Sequence, residues 1–259
     1  MSQPVVELRD VCLSLNDVPV LENIDLTLER DDYVAILGPN GSGKTTLLKI
    51  ILGLIEPDRG EVRVLGGPPT RAHGRVGYVP QRFEFDLTFP ISVLELVLMG
   101  RLGARGLGRR FRAEDQQRAL AMLERVSLTG LANRQIGTLS GGQLHRALIA
   151  RALASAPELL LMDEPTASLD ERVGRSLWEL LEELSQEMTV VIVSHDVGAI
   201  SRYVRSVACL NVRLHYHQSK ELTPEVLEAT YGCPVDLLAH GHPHRVLHTH
   251  GGEGGSKDD

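Results

Sequence analysis

"YVAILGPNGSGKTTLLKIILGL", Tyr33–Leu54, decides the fold. Its first part, Tyr33–Leu37, is apolar without alternation, as in a strand buried on both faces. Its last part, Lys44–Leu54, carries apolar residues at helical spacing and is read as a helix. Between them "GPNGSGKT", Gly38–Thr45, matches the pattern G-x-x-x-x-G-K-[ST]. A strand that turns through glycines into a helix leaves bare backbone N–H groups at the positive end of the helix dipole, a seat for phosphate. Gly38, Pro39, Asn40, Gly41, Ser42, Gly43, Lys44, Thr45 and Thr46 are therefore the expected nucleotide-binding residues. In that role Lys44 neutralises the β and γ charge, and Thr45 holds Mg²⁺.

Three further apolar runs read as strands: Gly77–Val79, Leu159–Met162 and Val190–Val193. Helical patterns separate them, at Glu114–Val126, Gly142–Ala154 and Val173–Glu187. Alternating strands and helices imply an α/β fold with a mainly parallel sheet. Residues 5–28 alternate apolar and polar side chains and are expected to form an antiparallel β layer. The stretch from about Thr88 to Ser155 reads as mostly helical, a subdomain inserted into the sheet domain.

The strand ends carry the chemistry. Leu159–Met162 runs into Asp163 and Glu164. Two adjacent acids at the end of a buried strand are costly without work or partners. Asp163 fits the carboxylate that supports Mg²⁺, and Glu164 a general base for the attacking water. Val190–Val193 ends in "SHD", which places His195 within reach of a γ-phosphate. Gly77–Val79 is followed by Pro80 and Gln81, and Gln81 could touch Mg²⁺ or the water. In open α/β sheets ligands bind at this carboxyl edge.

"LSGGQ", Leu139–Gln143, begins a helix with Ser140, Gly141 and Gly142 and has no basic cluster beside it. Ser140 is either an ordinary N-cap or part of an anion site built from backbone donors. The formal net charge of -7 argues against a nucleic-acid grip. The 3 cysteines, Cys12, Cys209 and Cys233, are too few and too scattered for a disulfide framework. No apolar run approaches the roughly 20 residues of a membrane span, and no secretory leader is expected at the start. Histidines gather after Arg213, and His240, His242 and His244 alternate, so an extended segment would put them on one face. They could bind a regulatory metal ion or form a solvated tail.

Taken together the motifs resemble the ATP-hydrolysing subunit of ABC transporters. "GPNGSGKT" resembles the Walker A loop, Gln81 the Q-loop, "LSGGQ" the family signature and "LLLMDEP" Walker B. "SLD", Ser168, Leu169 and Asp170, resembles the D-loop, and "SHD" the H-loop. The resemblance implies a P-loop NTPase of ABC type over residues 1–213, with the helical subdomain at about 88–155. Residues 214–259 are then a His-rich C-terminal extension ending in a disordered tail. It implies ATP and Mg²⁺ as cofactors and Glu164, His195 and Gln81 as catalytic residues, with Thr45, Gln81 and Asp163 around the metal. Two copies would pair head to tail, each signature (Leu139, Ser140, Gly141, Gly142 and Gln143) closing the ATP site of the other. Leu15 stands where the family usually has an aromatic residue stacked on adenine.

"YVPQRFEFDLTFPISVLELVLMGR", Tyr78–Arg101, resembles importers of zinc, manganese or iron(II), and the stretch from Ala208 to Leu247 resembles the zinc branch. A divalent-metal importer of this kind works at the cytoplasmic face of the membrane. Its partners are an integral permease and an extracytoplasmic metal-binding protein, with no nucleic acid. The rival is a soluble single-unit ABC ATPase of the iron–sulfur cluster assembly type.

Overall fold

The computed structural model describes residues 3–81, 89–105, 109–167, 169–194, 200 and 202–217. Strands β1 (Val6–Leu15) and β2 (Val18–Leu28) form a hairpin. Its turn, Asn16 and Asp17, has left-handed φ angles of 51° and 62°, which those side chains tolerate. A later strand, β4 (Arg59–Val64), pairs with the other edge of β1 and completes an antiparallel sheet in the order β2-β1-β4.

The second sheet contains β3 (Tyr33–Leu37), β5 (Val76–Val79), β6 (Leu159–Asp163), β7 (Thr189–Ser194), β8 (Ser206–Asn211) and β9 (Arg213–His217). Their spatial order is β5-β6-β7-β3-β8-β9, with every pair parallel except β8–β9. Both faces of this sheet are covered. Val34, Ile36, Leu159, Leu161, Val191 and Val193 join a core with α1 (Lys44–Ile51) and the antiparallel sheet. Ala35, Leu160, Met162, Val190 and Ile192 join a second core with the helices of the opposite face. Two-sided burial is why these strands read as unbroken apolar runs.

Helices α2 (Val93–Leu98), α3 (Leu102–Arg105), α4 (Ala113–Arg125) and α5 (Gly141–Ala154) lie between β5 and β6 in the chain, and α6 (Glu171–Leu184) lies between β6 and β7. The fully buried Asp115 ties this region together. Its carboxylate accepts from Arg101 Nε at 3.0 Å and from the Arg112 backbone N–H at 2.9 Å, closing the start of α4. Arg101 Nη1 also donates to the carbonyl of Ala154 at the end of α5, at 3.0 Å.

The expected helix Lys44–Leu54 stops at Ile51, and Gly53 then turns with φ 68°. The expected helix Val173–Glu187 begins earlier, as α6, because Asp170 caps it by accepting from the Val173 N–H at 3.0 Å, and it ends at Leu184. Three strands were not expected. β4 shows only Val62 and Val64 to the core among charged neighbours. β8 and β9 form a hairpin that carries the sheet to His217, past the division placed at 213. Among the described residues no helix is long and apolar enough to cross a membrane.

Gly100 lies hard against α5: a Cβ there would sit 2.0 Å from the Arg151 carbonyl oxygen. Backbone cannot yield as a flexible side chain does, so Gly100→Ala is expected to cost about 3 kcal/mol or more, at the upper end of overpacking changes. Urea unfolding checks this; a loss below about 1 kcal/mol would show that α5 is not held at this contact.

Candidate nucleotide site

Pairing sets the strand ends level. Val79 lies opposite Met162, Asp163 opposite Val193, and Leu37 opposite Ser194. The segments that leave these strands therefore meet at one edge of the sheet. The phosphate loop starts there and is clamped on two sides. A Cβ on Gly38 would lie 2.1 Å from the Leu210 carbonyl of β8, and one on Gly43 would lie 2.9 Å from the Val20 carbonyl of β2. Gly43 also has φ 97°, which only glycine adopts freely.

Lys44, the first residue of α1, is 7% exposed, and its Nζ donates to the carbonyls of Gly38 and Pro39, both at 2.8 Å. Burial pulls its ammonium below the usual lysine range, while Glu164 and Asp163 pull it back up. Thr45 Oγ1 donates to Asp163 Oδ2 at 2.8 Å. Asp163 is 2% exposed, and its Oδ1 has no hydrogen-bond partner among the described residues. Burial raises its carboxyl pKa; the Thr45 hydrogen bond lowers it, Glu164 adds to the rise, and Lys44 opposes it. A hydroxyl beside a buried carboxylate with one unsatisfied oxygen is the donor set a hard cation takes. Thr45 and Asp163 therefore fit Mg²⁺.

Glu164 is buried beside them. Its backbone turns off β6 with φ 50°, and its N–H donates to the Val193 carbonyl at 2.8 Å. Gln81 is exposed, two residues beyond the end of β5. His195 follows the last residue of β7 and lies outside the described residues, as do Ser168, Cys233, His240, His242 and His244. Among the described residues no group of three or more His, Cys, Asp and Glu side chains could hold a metal ion.

The signature stretch forms a capping box. Ser140 Oγ accepts from the Gln143 N–H at 3.3 Å, and Gln143 Oε1 accepts from the Ser140 N–H at 3.0 Å. The N-cap reading of Ser140 is therefore correct within this chain. A Cβ on Gly142 would lie 2.6 Å from Val173 Cγ1, so a side chain there would oblige the half-buried Val173 on α6 to move. Gly141 is exposed, and a Cβ there would meet nothing within 4 Å among the described residues. Nothing local requires that glycine.

A family model described as ABC transporter matches residues 21–167. The chain belongs to the ABC transporter family. It is 41% identical over 233 residues to a probable metal transport system ATP-binding protein of Chlamydia trachomatis, covering 89% of this chain and 90% of that one. It is 39% identical over 238 residues to the manganese transport system ATP-binding protein MntB of Listeria monocytogenes, covering 90% and 99%. Among solved structures it is similar to an inward-facing one described as of the metal-chelate ABC transporter type, with TM-score 0.82, 32% identity and 91% of each chain covered. The P-loop fold of ABC type expected from the motifs is thus the observed one, and the chain is an ATP-hydrolysing ABC cassette.

Sequence reasoning singled out Leu15 but missed its neighbours. Register pairs Leu15 with Val18, and both are exposed, 47% and 62%. Val20, two residues on and so on the same face, lies beside Gly43 together with the Leu21 side chain. The Asn16–Asp17 turn signal fixes that pairing and could have revealed it.

Asp163 supplies a test through pH. A carboxyl whose folded pKa is raised is penalised once it ionises, so the penalty is absent in acid and grows as pH rises through the folded value. Asp163→Asn without nucleotide is expected to melt at or above wild type at pH 7.5, with the margin shrinking on acidification. Scanning calorimetry at several pH values checks this; a clear loss of stability at pH 7.5 would contradict the burial argument.

Proposed function

We propose that this cassette powers the import of a divalent transition metal, zinc or manganese, through a separate membrane permease. The observation that carries the ATPase part is the buried Lys44, Asp163 and Glu164 at one sheet edge, with the half-buried Thr45 bonded to Asp163. The metal class rests on similarity. The Chlamydia and Listeria relatives carry metal-transport names, the latter for manganese, while the C-terminal stretch resembles the zinc branch. Metal-transport relatives that span nearly the whole chain favour this reading over iron–sulfur assembly.

In this mechanism the phosphate loop wraps the β- and γ-phosphates, and Lys44 holds them with a charge already desolvated by the fold. Thr45 and Asp163 would hold Mg²⁺, which would supply neutralisation of phosphate charge. Glu164 takes the proton of the attacking water, Gln81 orients that water, and His195 contacts the γ-phosphate. Leu15, Val18 and Val20 form an apolar shelf for adenine in place of an aromatic ring. Ser140 and Gly141 serve the γ-phosphate bound by a second copy. Gly141 supports this, since its missing side chain leaves room that the described residues do not fill. Ser140 can cap its helix as acceptor and still donate its own proton outward. The assembly sits peripherally at the cytoplasmic face, and an extracytoplasmic binding protein delivers the metal.

Glu164→Gln removes the negative charge but keeps the size. ATP binding is expected to persist, an ATP-bound dimer to accumulate, and turnover to fall at least 10²-fold. Gel filtration with ATP and a phosphate-release assay check this; turnover within a few-fold of wild type removes Glu164 from the role.

For the metal, radiolabelled zinc or manganese uptake by cells holding the whole transporter is expected to stop with the same substitution. Unchanged uptake of both would overturn the transport reading.

A further inference from the structure

The segment between α3 and α4 carries a charge arrangement that the nucleotide site does not use. Arg109, Arg110 and Arg112 are all exposed, in a chain whose formal net charge is -7. Phe111, between two of them, is partly buried and packs on the main core. Arg112 has extended backbone, φ -95° and ψ 169°. In an extended stretch neighbours face opposite sides, so anchoring Phe111 inward turns Arg110 and Arg112 outward together. Among the described residues none of the three guanidinium groups has a hydrogen bond or ion pair. The adjacent acids are engaged elsewhere: Asp115 is buried against Arg101, and Glu114 has a partner of its own.

We infer that Arg109, Arg110 and Arg112 form a docking patch for the phosphate groups of anionic lipids on the membrane beside the permease. Guanidinium groups bind phosphate through paired N–H donors and are weakly hydrated, which suits them to a headgroup layer. Charge selects the occupant. Cytoplasmic loops of membrane proteins carry an excess of Lys and Arg, so the permease surface repels this patch, whereas the anionic leaflet attracts it. The patch is fixed to α4 through the Asp115 cap, so lipid contact would orient the helical region as well as tether it.

The inference rests on the proposed cytoplasmic placement, but its test needs neither permease nor metal. The purified full chain is floated with vesicles of phosphatidylcholine alone or with about 30% phosphatidylglycerol, at low and high salt. Wild type is expected to bind the anionic vesicles only and to be released by salt. Each arginine near a membrane surface contributes about fivefold in affinity, so R109Q/R110Q/R112Q is expected to lose roughly 100-fold. R109K/R110K/R112K keeps the charge and should bind within about tenfold of wild type. ATP hydrolysis is expected to be unchanged in both variants, which confirms their fold. Equal binding to both vesicle types, equal binding by the glutamine variant, or equal losses in the glutamine and lysine variants would each overturn the proposal. Failure here with metal uptake intact would leave the transport reading standing.

Discussion

An ammonium ion and two carboxylates lie together out of water at the edge of a parallel sheet. Lys44, Asp163 and Glu164 are 7%, 2% and 6% exposed. An isolated buried charge of this kind costs several kcal/mol or more. The carboxylates support the lysine's charge, whereas they oppose each other's, and much of the fold answers to the need to hold that arrangement. Strand order puts β7 between β3 and β6, so the residues that leave β3 and β6 flank one strand end. The loop carbonyls of Gly38 and Pro39 then take up two of the lysine's protons, and Thr45 satisfies one oxygen of Asp163. One oxygen stays unsatisfied within the described structure, and it lies where the chemistry needs an acceptor for a cation.

The loop that delivers Lys44 does not hold its own shape. Gly38 is pressed by β8 and Gly43 by β2, strands from different sheets and from opposite ends of the chain. The turn after β8 adds to the brace: the Glu22 N–H donates to the Val212 carbonyl at 2.8 Å, and Arg213 pairs with Glu22 at 3.3 Å. The phosphate seat is thus a junction of three segments, of which the sequence motif marks only one.

That division explains what was legible in advance. Gly38–Thr45 could be read because its chemistry needs particular residues at fixed spacing, and β6 and β7 because burial on both faces leaves apolar runs. β4 was hidden because an edge strand with one wet face spends its residues on Arg59, Glu61 and Arg63, which pair with acids or with each other. β9 was hidden because its histidines, His215 and His217, belong in composition to the tail that follows. The hydrogen-bonded ladder runs on through them to His217. Gly141 and Gly142 look alike in sequence, yet only packing separates the one set against Val173 from the one that, among the described residues, has no neighbour at its Cβ position.

The same contrast bears on α5. Its first turn is fixed to α6 through Gly142 and Val173, and its last turn meets Gly100 and Arg101. A helix of 14 residues spans about 21 Å. Close packing at both ends leaves it little freedom to bend, since tightly packed interiors transmit displacement rather than absorb it. A shift imposed at Arg101, just past α2, is therefore felt at Ser140. The cost of breaking the link falls on Asp115, which would otherwise be a buried carboxylate without its guanidinium.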